Sequence, residues 1–329
     1  MSKTKNIVVI GGGTGTYTAL LGLKKYPVDL TAVVSMADDG GSNRVIRDEF
    51  GLLPTSDIRQ CFVALAEENG NSEMLLRELF TYRFRQGNGL KGMTFGNLFM
   101  AALTDILGSQ IKAIEKTGRI LKIKGRVLPV TLMDSKLVAV YENGQEVVGE
   151  HFIDEPQHDP TLRIEKIFLR PEGEAYPEAL RAIAEADFVV LGPGDLYTSL
   201  IANLVVKGIV EALRKTKAKI VYVSNLMTRP GQTHGFTARD HVAALEKYLG
   251  KNCLDFVIIN SQPVPKRILA KYQGVQSRVV QDDLTKSYFK IIRADILGKE
   301  PIGKQEGDEL QRSFVRHDPD ALAKVICKL

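Results

Sequence analysis

The chain is poor in residues that staple, chelate or span. Its 329 residues include only three cysteines, Cys61, Cys253 and Cys327, far apart in sequence. An odd number at wide spacing makes neither a disulfide framework nor a thiolate metal site, and fits reduced thiols. No uninterrupted apolar run reaches the ~18 residues that would suggest a membrane span. Behind Lys3 and Lys5 only a short apolar stretch precedes the first glycine, so the N-terminus does not read as a signal peptide. The histidines, His151, His158, His234, His241 and His317, show no ligand spacing; His234, in a loop after a strand, is a minor candidate. There is no G-x-S-x-G elbow, no G-x-x-x-x-G-K-[ST] phosphate loop and no H-E-x-x-H zinc motif. The net charge of +5 comes from scattered lysines and arginines. RNA-binding motifs, zinc-finger spacing and basic-region helices are all lacking, so a nucleic-acid partner is not expected.

What is present reads as an ordinary soluble globular chain, 44% hydrophobic and 25% charged. The length allows two domains or one large α/β domain. Short runs rich in Val and Ile at 7–10, 30–36, 188–191, 220–224 and 256–260 suit strands buried on both faces. Helical patterns occupy 17–25, 56–67, 72–82, 97–107, 177–186, 197–213 and 237–249. Such alternation predicts a Rossmann-like, mostly parallel sheet with helices on both faces. The rhythm breaks at about 119–169, where Asn143-Gly144 separates two β-patterned runs and suits a tight hairpin turn. We therefore expect a single α/β domain over 1–329 with a small β-rich insertion that does not carry the phosphate site. From Arg278 the pattern is less regular, ending in a helix opened by Asp318-Pro319.

Several strand ends carry chemistry. Gly11-Gly12-Gly13-Thr14-Gly15-Thr16 ends the first strand; glycines permit close backbone approach, and a helix N-terminus attracts anions. Thr16 stands where the dinucleotide fingerprint needs its last glycine. After the second strand comes Asp38-Asp39-Gly40-Gly41-Ser42. Asp38 falls where a ribose-binding acid belongs, and the paired carboxylates also suit Mg²⁺. Asp57 and Arg59 lie near a helix start, as cap or phosphate partner. Gly192-Pro193-Gly194-Asp195, with Tyr197, Thr198 and Ser199, repeats the first loop's logic. Two such loops at strand ends predict one crevice at a topological switch point. Asn225, Thr228 and Thr233 follow another strand, and Gly96 and Asn97 open a helix.

The stretches "GGGTGT", "ADDGGS", "PTSDIRQC", "FGNLFMAAL", "PEALRAIAEADFVVLGPGDLYTSLIANLVVKGI" and "YVSNLMTRPGQTHGFTARDHV" together resemble, in order, the gluconeogenesis factor family of the 2-phospho-L-lactate transferase-like superfamily. The resemblance implies a bacterial cytoplasmic protein tied to carbon metabolism and to cell shape or wall synthesis. It implies a nucleotide-sugar ligand such as UDP-N-acetylglucosamine. It also implies an alternative: a Mg²⁺-dependent transferase acting on a nucleoside-diphosphate-linked donor, with Asp38, Asp39 and Asp57 as candidate catalytic or metal-binding residues. A dinucleotide-linked oxidoreductase is the third reading, opposed by the incomplete fingerprint, although adventitious NAD binding is compatible with the loop. Departures from the family pattern are Ser42-Asn43-Arg44-Val45 after the paired aspartates, which re-aims an arginine toward ligand phosphates, and Met93-Thr94 before Phe95. The base, the sugar, turnover, a homo-oligomer and a protein partner all stay open.

Overall fold

The computed structural model describes residues 4–68, 70–272, 274, 276–299 and 313–329. Lys3 and positions 300–312 of the irregular C-terminal stretch lie outside these. Seven parallel strands form the main sheet, in the order β10-β9-β8-β7-β1-β2-β3. They are β1 (Lys5–Gly11), β2 (Val28–Val34), β3 (Arg126–Pro129), β7 (Phe188–Leu191), β8 (Lys219–Val223), β9 (Phe256–Asn260) and β10 (Lys290–Ala294). A smaller antiparallel sheet, ordered β5-β4-β6, contains β4 (Lys136–Tyr141), β5 (Glu146–Val148) and β6 (Ile164–Arg170). The fold is thus Rossmann-like α/β. No helix among the described residues is long and apolar enough to cross a membrane.

The continuous apolar run of β1 follows from its place inside the sheet. Ile7 and Val9 face one core, with Leu20 and Leu23 of helix Gly13–Leu23 and Leu322 and Ile326 of the final helix Pro319–Cys327. Val8 and Ile10 face the other core, with Ala179 and Ile183 of helix Pro177–Glu185. Each fully buried aliphatic side chain contributes about 1.5–3 kcal/mol relative to exposure, so between Ile7 and Ile10 β1 has no position where a polar residue would be cheap.

In the small sheet Val138 pairs with Val148 across the turn. Gly144 has φ +82°, and its N–H donates to the Tyr141 carbonyl oxygen at 2.8 Å. The expected insertion begins too early, however. Helix Gln110–Ile120 precedes it, and β3 joins the main sheet, with Arg126 beside Thr31. The expected helix over 197–213 is split into Leu196–Ile201, Ala202–Leu204 and Ile209–Lys215; Gly208, at φ +101°, sets the last break. The chain builds β1 to β3 toward one edge and β7 to β10 toward the other, so the carboxyl ends of β1 and β7 lie side by side at the switch point.

Candidate functional site

The two glycine loops meet there, and their glycines serve each other first. A Cβ on Gly15 would overlap the Pro193 carbonyl, standing 2.5 Å from its carbon and 2.7 Å from the Gly194 nitrogen. A Cβ on Gly12 would overlap Asp57 Oδ2 and stand 3.6 Å from the Ser199 Cβ. Gly13 opens the first helix at φ +61°, a conformation that favours glycine. Its N–H donates to Asp57 Oδ1 at 2.9 Å. Two side-chain amides tie the loops down. Asn203 Nδ2 donates to the Gly11 carbonyl at 3.0 Å, and Asn225 Nδ2 donates to the Gly194 carbonyl at 2.8 Å.

Above these loops opens a cavity of about 1060 Å³, room enough for a nucleotide-sized ligand. One wall combines helix Gly41–Phe50 with residues 83–93, packed together through Val45, Ile46, Phe84 and Met93. It brings Arg44, Arg83, Arg85 and Lys91 to the cavity, with Arg59 nearby. Arg59 is buried and donates from a guanidinium nitrogen to the Phe80 carbonyl at 3.2 Å.

A second part of the lining is acidic: Asp38, Asp57, Glu150, Asp154 and Asp195. Burial raises the Glu150 carboxyl well above its usual range, and the charges of Asp38, Asp154, Asp57 and Asp39 raise it further. Asp154 is pushed up to about 6 by burial, against the pull of Arg229. Arg229 donates to Asp154 Oδ2 at 2.5 Å, and Gln232 Nε2 donates to Asp154 Oδ1 at 2.9 Å. Leu226, Met227 and Val315 give a further stretch of the lining apolar character, beside Arg316 and His317.

Most residues singled out from the sequence line this one cavity: Gly12, Gly13, Thr14, Gly15, Asp38, Gly40, Gly41, Ser42, Asp57, Arg59, Gly194, Asp195, Thr198, Ser199 and Asn225. Six do not. Thr16 lies buried against Gly11, beneath the loop. Asp39 turns to the short helix Glu150–Asp154 of the insertion, where its Oδ1 accepts the His151 N–H at 2.9 Å. Asn97 is buried, donating to Ser42 Oγ at 3.0 Å and Ser56 Oγ at 3.1 Å, so it supports the lining from behind. Gly192 shapes its turn at φ +81°. Tyr197 is part of the hydrophobic core. Thr228 Oγ1 accepts the Arg278 N–H at 2.9 Å. Thr233 likewise accepts the Arg229 N–H at 2.8 Å, and His234 does not line the cavity.

The insertion, expected not to carry the phosphate site, supplies Glu150, His151, Asp154 and Glu155 to the acidic part of the lining. Sequence reasoning also missed Arg229, Arg316 and His317, and the wall at 83–93. The alternation of Arg83 and Arg85 around Phe84 was a basic signal that a reading of scattered charge passed over.

Among the described residues no three His, Cys, Asp or Glu side chains group as metal ligands. Asp39 is engaged with His151, and Asp38 Oδ1 accepts the Gly40 N–H at 3.0 Å.

His317 gives the crevice a pH signature. Burial lowers its pKa to about 4, although a backbone hydrogen bond with Ser224 opposes this. An unfolded histidine titrates near about 6.5. Between those values the unfolded chain binds the proton that the folded chain refuses, so this contribution is complete above about 6.5 and is lost as pH falls to about 4. His317→Gln should flatten that limb by at most about 3 kcal/mol, read from urea unfolding at a series of pH values. Asp154 acts oppositely, favouring the folded state as pH falls below about 6. A difference curve between wild type and variant therefore isolates the histidine, and identical slopes would contradict its burial as a neutral ring.

The fold and the crevice define a Rossmann-like α/β protein whose candidate ligand site lies at the switch point of a doubly wound sheet. The chain belongs to the 2-phospho-L-lactate transferase CofD family, whose model matches residues 7–297. It is 38% identical over 330 residues to the gluconeogenesis factor of Bacillus subtilis, covering 100% of this chain and 99% of that one. It is 41% identical over 306 residues to the gluconeogenesis factor of Halalkalibacterium halodurans, covering 90% of this chain and 92% of the relative. A crystal structure of a Bacillus halodurans protein superposes with a TM-score of 0.88 at 35% identity, covering 99% of this chain and 100% of that one.

Proposed function

We propose that the crevice binds a nucleoside diphosphate linked to a small group, of the UDP-sugar class, and that the protein is a ligand-responsive cytoplasmic regulator of carbon metabolism and cell shape. The observation that carries this reading is the cation wall of Arg44, Arg83, Arg85 and Lys91 beside two glycine loops at a strand switch point. Guanidinium groups match phosphate oxygens in charge and geometry. Backbone amides of Gly41 and Gly194 and the hydroxyls of Ser42, Thr198 and Ser199 complete a polar lining for the diphosphate. Asp38, just beyond β2, accepts hydrogen bonds from a ribose hydroxyl. The relatives' name, gluconeogenesis factor, supports the metabolic part of the proposal.

Calorimetric titration with UDP-N-acetylglucosamine tests it. Asp38→Asn should weaken binding by about 1.5–3 kcal/mol, the scale of a hydrogen bond to a charged group, or roughly 10- to 150-fold. A chelator should change wild-type affinity less than about twofold, since no metal is needed to hold a ligand whose diphosphate rests on arginines. Strong loss of wild-type binding with chelator, and little further effect of the variant, would contradict the ribose role.

A transferase is the second reading, and the acidic group around Glu150 favours it, because a carboxyl whose pKa is raised by burial and by neighbouring carboxylates suits proton transfer. Phosphorus NMR of the protein with Mg²⁺ and the nucleotide sugar discriminates the two. Release of the nucleotide, abolished by Asp38→Asn, would replace the regulator with the enzyme.

A further inference from the structure

The first helix, Gly13–Leu23, has no acidic residue of its own in the first turn. Its N-terminus points to the place where a phosphate rests in folds of this kind, held by unpaired amides and the helix dipole. That place is already taken. Asp57, from the start of helix Ser56–Leu65, lays its carboxylate on the Gly13 amide at 2.9 Å. The same carboxylate fills the space that a side chain at position 12 would need, with Cγ 3.2 Å from a Cβ built there. Gly12 is therefore a glycine that admits the protein's own anion. A ligand phosphate brought to the Gly13 amide would meet a second negative charge within a few ångströms, in a cleft where such repulsion is poorly screened.

The cation wall has the opposite character. Helix Gly41–Phe50 and the 83–93 segment hold Arg44, Arg83, Arg85 and Lys91 on one packed unit. Arg83 is braced there by donating to the Gly92 carbonyl at 2.6 Å. We propose that Asp57 is the resident occupant of the anion position at the first helix, and that it steers a ligand's diphosphate off the glycine loop and onto this wall. Asp57 is then a positioning residue that sets ligand orientation: the diphosphate lies along the wall, and the glycine loop supports it from below. The proposal rests on the nucleotide-binding reading above.

The test uses Asp57→Asn, whose amide oxygen can still accept the Gly13 N–H while the charge is gone. Inorganic pyrophosphate and UDP are the probes. Both should bind the variant roughly five- to tenfold tighter at low salt, and the gain should shrink at about 1 M salt, where the screening length falls to roughly 3 Å. Equal or weaker binding by a folded variant overturns the proposal. A second measurement on the wild type guards against a variant that does not fold. In ¹⁵N-labelled protein titrated with pyrophosphate, the Arg44, Arg85 and Lys91 amides should shift while Gly13 stays in place. A Gly13 shift as large as theirs overturns the proposal and leaves nucleotide binding intact. A wild type that binds neither probe refutes the nucleotide reading, and the steering role with it.

Discussion

Alanine at position 15 is expected to cost at least roughly 100-fold in nucleotide affinity, the scale of a displacement of about 1 Å in a positioned site. The added methyl would meet only backbone: the Pro193 carbonyl and the Gly194 nitrogen, the latter 2.7 Å away. Unlike the end of a lysine, these atoms have nowhere to go. The β1 and β7 loops must part, and with them the floor of the crevice and the Asn225 tether to Gly194. Overpacking of this kind costs about 1–3 kcal/mol of stability, small enough to leave the variant folded and testable. Titration with UDP-N-acetylglucosamine, beside a urea melt, reads both effects. Affinity within about threefold of wild type would mean that the loops are free to adjust.

Gly22→Ala should produce the largest stability loss. Helix propensity favours alanine by about 1 kcal/mol, so on local grounds the change should help. Packing reverses the sign. A Cβ at this position would collide with the Pro319 carbonyl oxygen, stand 2.6 Å from its carbon and lie 2.9 Å from the Ala323 Cβ. The final helix would have to lift from the first, exposing Leu322 and Ile326, now buried with Leu20 and Leu23. We expect a loss of about 3 kcal/mol or more, from overpacking plus lost burial. Urea unfolding gives the magnitude, and limited proteolysis should cut the variant near residue 316 first. A variant more stable than wild type would show that propensity outweighs this contact.

The contrast between these two glycines and their neighbours explains how far the sequence could be read. The strands at 7–10, 188–191 and 256–260 were legible because burial on both faces demands unbroken apolar runs. β10 was not, since its edge position tolerates Lys290 and Arg293, and the latter pairs with Asp282 at 2.5 Å. Helix Gly41–Phe50 was hidden by its opening, Gly41-Ser42-Asn43, which reads as loop. β3 was assigned to the insertion because basic residues surround it and a proline ends it. In the site, the two glycine loops and Asp38 announced themselves through local backbone chemistry. The acidic lining from Glu150 and Asp154 depends on a short helix in the insertion reaching back across the chain to Arg229, a contact between residues 75 apart that no local pattern encodes.

The position of β1 also sets a timetable for synthesis. Its register with β7 joins Ile7 to Phe188 and Ile10 to Leu191. At ribosomal rates of about 5–20 residues per second, β1 waits roughly 9–36 s for that neighbour. Until then one edge of the emerging β1–β2 pair is bare, and such an edge can pair with another chain. The first helix waits longer still, because Pro319 and Ala323, which close over Gly22, are made well after β7. For this protein the aggregation hazard of a nascent chain therefore falls on its N-terminal half, and a chaperone that holds an exposed strand edge would be needed during that interval rather than after release.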